Sequence, residues 1–138
     1  MPSFETTSEE DTARLAATIA AAAKSGEVFL LDGPLGAGKS VFARAFIRTL
    51  CGAETDVPSP TFTLVQTYEA QKGPVWHFDL YRLKDPEEIY EIGWEESANA
   101  IRLIEWPERL GPYTPKAARH ITIQPTGEHS RKISIDDL

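Results

Sequence analysis

The sequence is short of the residues that several functional classes depend on. It holds one cysteine, Cys51, and three histidines. A single thiol closes no internal disulfide, and four such groups scattered along the chain offer no zinc pattern. No apolar run approaches the roughly 20 residues that span a bilayer, so no membrane helix is expected. The opening residues lack the basic and apolar regions of a signal peptide. The cytoplasm is therefore the expected compartment, with Cys51, set in an apolar stretch, as a buried thiol. Cations are scarce too: 14 Lys+Arg against 21 Asp+Glu give a net charge of −7. With no dense run of Lys or Arg, tight direct contact with RNA or DNA is disfavoured.

What is present describes a globular chain. Its 138 residues predict a single domain, long enough to bury a core without a staple. A content of 41% hydrophobic and 25% charged residues excludes disorder. Ser8 reads as the N-cap of a first helix, with Glu9, Glu10 and Asp11 in the turn where the helix dipole favours negative charge. Leu15, Ala16, Ile19, Ala20 and Ala23 follow at helical spacing, and Gly26 is the expected stop. Glu27 to Leu31 reads as a buried strand, and Phe42, Ala45, Phe46 and Leu50 as a second helix closed by Gly52. The stretch Thr61 to Tyr68 is β-prone, Lys72-Gly73-Pro74 marks a turn, and Val75 to Asp79 is the returning strand. Asp85-Pro86-Glu87-Glu88 starts another helix, Ile101 to Trp106 is a strand stopped by Pro107, and a turn at Thr126-Gly127 joins a terminal hairpin. The expectation is an α/β fold with some antiparallel pairing.

Between the first strand and the second helix lies Gly33-Pro34-Leu35-Gly36-Ala37-Gly38-Lys39-Ser40, which fits G-x-x-x-x-G-K-[ST]. Glycines let backbone N–H groups converge on a phosphate, and the following helix directs its positive end at the same point. Lys39 adds a charge near the β- and γ-phosphates, and the Ser40 hydroxyl can bind Mg²⁺. Pro34 has no N–H, but it precedes the amides expected to face phosphate.

Such a loop needs a carboxylate at the end of a neighbouring strand to hold the metal. Glu105 ends one strand and Asp79 another, and spacing cannot choose between them; Glu105 is the first choice as ligand. Thr61 follows a loop after the second helix, where phosphate-sensing segments lie in several P-loop classes. A Thr making only local hydrogen bonds fits its position equally well. By position alone Trp106 reads as core packing, His77 as a structural histidine, and Arg82 as a partner of Asp79, a phosphate or a surface acid.

Four strings together are more specific than any one: Leu35-Gly36-Ala37-Gly38-Lys39-Ser40, Ser59-Pro60-Thr61-Phe62-Thr63-Leu64-Val65, His77-Phe78-Asp79-Leu80-Tyr81-Arg82 and Ile104-Glu105-Trp106-Pro107-Glu108. In that order and spacing they resemble the bacterial tRNA threonylcarbamoyladenosine biosynthesis ATPase family TsaE, also called YjeE, from about Ser8 to Ile135. The resemblance implies a P-loop NTPase-like three-layer fold whose mixed sheet includes an antiparallel hairpin. It implies a Mg²⁺-dependent ATPase, slow alone, that works with TsaB and TsaD on the adenosine next to the tRNA anticodon. The ATPase of that family does not perform the transfer, and tRNA would be met only through the complex. By the resemblance, Gly36, Ala37, Gly38, Lys39, Ser40 and Val41 would cradle ATP, and Ser40 and Glu105 would hold Mg²⁺. Thr61 would belong to the switch-like loop and Asp79 to the catalytic surroundings, while Trp106 would lie on the nucleotide side. Ser8 and Thr12 would approach the adenine. The chain departs from the family at Pro34, usually acidic, and at Ser40, usually Thr.

The competing reading is a small P-loop kinase of a metabolite or nucleoside, although no lid segment is evident. A GTPase is disfavoured because no N-K-x-D motif is present. A regulatory subunit that binds nucleotide without turnover uses the same residues.

Overall fold

Alternation along the strands decides how this chain layers. In β2 (Val28–Asp32), Phe29 and Leu31 enter one core cluster, while Val28 and Leu30 enter another, as the two-residue period of a strand requires. A computed structural model describes residues 2–136, and in it β2 is the middle strand of a seven-stranded sheet. Strands β1 (Ser3–Thr6), β3 (Val65–Ala70), β4 (Gly73–Asp79), β5 (Ile101–Glu105), β6 (Ala118–Pro125) and β7 (Arg131–Asp136) complete it, in the order β1-β7-β6-β2-β5-β4-β3. The four central strands β6, β2, β5 and β4 are parallel, and β3, β7 and β1 pair antiparallel at the flanks. Both parts of the expected mixed sheet are there. The terminal hairpin pairs Gln124 with Lys132 and Pro125 with Arg131.

Helices α1 (Glu9–Ala21) and α2 (Lys39–Cys51) share one face of the sheet. There Phe29, Phe42 and Phe46 pack as edge-on and stacked rings, each burial worth about 2 kcal/mol. The other face is covered by two 3₁₀ segments, Pro86–Ile92 and Pro107–Tyr113, which contribute Ile89 and Leu110 to the second cluster. The helix start at Asp85 is confirmed, with Glu88 Oε1 accepting from the Asp85 N–H at 2.8 Å.

Three expectations need correcting. Helix α1 ends at Ala21, short of Gly26. The reason is Lys72, whose Nζ donates to the carbonyls of Ala21 and Ala23 at 2.6 and 2.8 Å and so satisfies the helix end from the β3–β4 turn. Thr61 to Thr63 form a turn rather than strand. Leu64 adopts φ +70° and its N–H returns to the Pro60 carbonyl at 2.7 Å, which delays β3 until Val65. Strand β5 stops at Glu105, because Trp106 turns into the left-handed region at φ +57°. Strand β1 had no counterpart in the sequence reading.

Candidate functional site

The parallel strands deliver their last residues to one end of the sheet, where ligands bind in open α/β folds. Asp32 ends β2, Asp79 ends β4, and Glu105 ends β5 in register with both Leu31 and Asp79. On β4, Val75, His77 and Asp79 alternate onto the face that α2 covers, and Glu105 falls on the same side with Leu103. The glycine-rich loop crosses this edge and leads into α2. Glycine is required at two of its positions. A Cβ on Gly33 would lie 2.6 Å from the Ile123 carbonyl oxygen, and Gly38 caps α2 at φ +100°.

A cleft of about 290 Å³ opens here, lined by Gly36, Gly38, Lys39, Ser40, Thr61, Asp79, Glu105 and Trp106 among others. Eight of the residues singled out from sequence thus meet in one place. Val41 and Thr12 line an adjoining cavity of about 250 Å³, and Gly38 belongs to both. Thr12 is buried and bonds the Thr6 hydroxyl at 2.9 Å. Ser8 lines neither cavity: its hydroxyl caps α1 by accepting from the Asp11 N–H at 3.1 Å. Ala37 is buried beneath the loop, and Pro34 faces a different hollow beside Thr122 and Gln124.

The chemistry centres on Lys39, which is 6% exposed yet has no hydrogen-bond partner for its ammonium among the described residues. The Nζ lies 3.5 Å from the centre of the Trp106 ring. Burial pushes its pKa below the ordinary lysine value, opposed by the negative charges of Glu105, Asp79, Asp32 and Glu108. A desolvated ammonium without an acceptor is costly, and an anion in the cleft would supply what is lacking.

The two carboxylates differ in how they are held. Both oxygens of Asp79 are engaged within the protein: Oδ2 accepts from the Thr61 hydroxyl at 3.1 Å and Oδ1 from the Tyr81 N–H at 3.1 Å. Glu105 accepts at Oε2 from His77 Nε2 at 2.6 Å, while its Oε1 makes no hydrogen bond among the described residues. Among the described residues, then, Glu105 has one oxygen without a hydrogen bond and Asp79 has none. Thr61, also linked to the Ser59 hydroxyl at 2.7 Å, ties its loop to Asp79. Trp106 is only half-buried, with Tyr81 against its ring at 4.8 Å. Its position between core and cleft corrects the core-only reading. Arg82 sets its guanidinium 4.5 Å above the exposed ring of Phe62.

Two residues bonded to parts of the cleft were given no site role from sequence. His77 read as structural, and the alternation that sets it beside Asp79 was the available signal. Arg131, on β7, donates from Nε to the Ala37 carbonyl at 2.6 Å and from Nη1 to the Ser130 carbonyl at 2.8 Å, and so joins the loop to the hairpin. Nothing local in the sequence marks it.

The family described as "Threonylcarbamoyl adenosine biosynthesis protein TsaE" matches residues 6–133. The chain belongs to that family. Curated TsaE-family relatives include the tRNA threonylcarbamoyladenosine biosynthesis protein TsaE of Rickettsia conorii, 43% identical over 93% of this chain and 74% of the relative. The protein of the same name from Bacillus subtilis is 35% identical over 95% of this chain and 82% of its own. Among solved structures, Bacillus subtilis YdiB superposes with a TM-score of 0.76 at 29% identity, covering 97% of this chain and 83% of that one. The fold is that of P-loop NTPases, as the motif led one to expect.

Proposed function

We propose that the chain binds ATP with Mg²⁺ in the cleft and hydrolyses it, in support of threonylcarbamoyladenosine formation on tRNA by TsaB and TsaD. The observation that carries this reading is the buried ammonium of Lys39, without a hydrogen-bond partner among the described residues, in a residue that lines the cleft with Gly36, Gly38, Ser40 and Glu105. Those residues suit a nucleotide phosphate chain and a hard cation: a lysine for the anion, and a hydroxyl and a carboxylate oxygen for the metal. Ser40 and Glu105 would hold Mg²⁺, which when bound neutralises charge on the phosphates. Lys39 then orients the γ-phosphate, Asp79 fixes Thr61 and its loop over the reacting group, and Trp106 walls the cleft from solvent. Val41 and Thr12 border the cavity offered to the ribose and base.

Transfer to tRNA would be left to the partners, in keeping with a net charge of −7. Leu35, 72% exposed, lines the cleft, and Phe62, 80% exposed, follows the cleft residue Thr61; both are apolar groups suited to a protein neighbour. Phosphate release measured with ATP alone and after adding TsaB and TsaD tests the whole reading. Slow release alone, faster in the complex and abolished by Glu105→Ala, is expected. Equal rates with and without partners, or phosphate passed to a small acceptor, would overturn it.

A further inference from the structure

We propose that His77 is a positioning residue, holding the Glu105 carboxylate so that one oxygen alone faces the metal position. The inference rests on the Mg²⁺–nucleotide reading of the cleft and adds a residue whose one side-chain hydrogen bond among the described residues is with the metal ligand.

Glu105 sits at the last position of β5, where side-chain torsions would let either oxygen swing toward the cleft. His77 removes that freedom. Strands β4 and β5 run in parallel register, Asp79 opposite Glu105, so His77 stands one pleat back on the same face. Its Nε2 reaches Glu105 Oε2 at 2.6 Å, a short bond between groups only 2% and 6% exposed. An ionised carboxylate only accepts, so the ring nitrogen donates. With Oε2 occupied, Oε1 is left for a ligand.

The ring is not explained by packing. Its Nδ1 is buried with no partner among the described residues, a cost that an apolar side chain of similar size would avoid. Behind Ser40 the His77–Glu105 pair borders a cavity of about 40 Å³ closed by Ala43, Val57 and Pro58, so there is room for such a replacement. Among the described residues the one hydrogen bond of the imidazole is with the carboxylate proposed to bind metal. Thr61 and Asp79 form a separate hydrogen-bonded pair.

The test compares His77→Leu and His77→Gln, titrated with ADP by calorimetry with and without Mg²⁺. The expected result for His77→Leu is metal-free ADP affinity within twofold of the unaltered chain. The gain in affinity that Mg²⁺ brings should fall at least tenfold, as for other groups that orient a metal ligand. His77→Gln, which keeps an N–H near the Nε2 position, should restore most of that gain. In a Glu105→Gln background, His77→Leu should add no further loss. If the leucine variant does not fold, His77→Asn, whose amide lies near Nδ1, is read in its place with the same expectation. An unchanged Mg²⁺ gain in His77→Leu, or an equal loss with and without metal, would overturn the proposal and assign His77 to packing. Should the unaltered chain gain nothing from Mg²⁺, the reading of the cleft itself fails, and this inference with it.

Discussion

Two lysine or arginine side chains are buried among the described residues, each against a tryptophan, and their hydrogen bonding differs sharply. Arg102, at the far end of β5 from the cleft, is 8% exposed with its guanidinium 3.9 Å from the centre of the Trp94 ring. Lys39 is 6% exposed with its ammonium 3.5 Å from the centre of the Trp106 ring. Burial lowers the pKa of both. Arg102, however, donates from Nε to the Ser97 hydroxyl at 2.7 Å and from Nη2 to the Trp94 carbonyl at 2.5 Å. Lys39 donates to nothing among the described residues. A buried charge that has its hydrogen bonds has its desolvation offset within the fold; one that lacks them leaves donors that a ligand could satisfy.

The sharpest way to break this contrast is substitution by methionine, which keeps an unbranched apolar stem at each site and removes the charge. Lys39→Met should lower ATP-dependent phosphate release by about 10²–10³-fold, the usual effect of removing a charge aimed at the reacting group. A loss below tenfold would mean that the ammonium is not a phosphate ligand. Arg102→Met should leave phosphate release per folded molecule within about twofold. It should lower unfolding free energy by roughly 2–3 kcal/mol, because the Trp94 carbonyl and Ser97 hydroxyl lose a charged donor. Urea unfolding measures this, and an unchanged midpoint would place Arg102 with Lys39.

The smallest effect has the opposite sign. Without nucleotide, Lys39→Met should raise stability by about 1 kcal/mol, roughly 3–5 °C in melting temperature. The folded chain releases the Lys39 proton before the unfolded chain does, so between the two pKa values the unfolded state holds more protons and stability rises with pH. The penalty is complete below the lowered folded value and absent above the ordinary lysine value. The advantage of the methionine variant should therefore narrow as pH climbs from neutrality; melting curves in which it widens would refute the assignment.

Most of the site could be read from sequence because its parts are local. The strand, the loop and Lys39-Ser40 are contiguous, and Glu105 is marked by the apolar run before it and Pro107 after it. The missed features depend on distant pairing. Arg131 reaches a carbonyl 94 positions away, and His77 meets a carboxylate 28 positions away. Alternation put His77 and Asp79 on one face, but only the strand order reveals that β5 lies beside them. Strand β1 is four residues long, exposed on three, and owes its form to pairing with β7. The turn at Thr61–Thr63 was misread because β propensity says nothing of a left-handed leucine closing a bond four residues back.

The grip of Arg131 on the loop has a thermodynamic consequence. A glycine-rich segment left to itself would sample many shapes, and a ligand would have to freeze it at a cost of about 1 kcal/mol or more per residue. Here the guanidinium fastens the middle of the loop to a hairpin that is itself part of the sheet. The entropy is surrendered when the chain folds, so the proposed phosphate ligand would meet a loop already fastened and would keep more of its interaction energy as affinity.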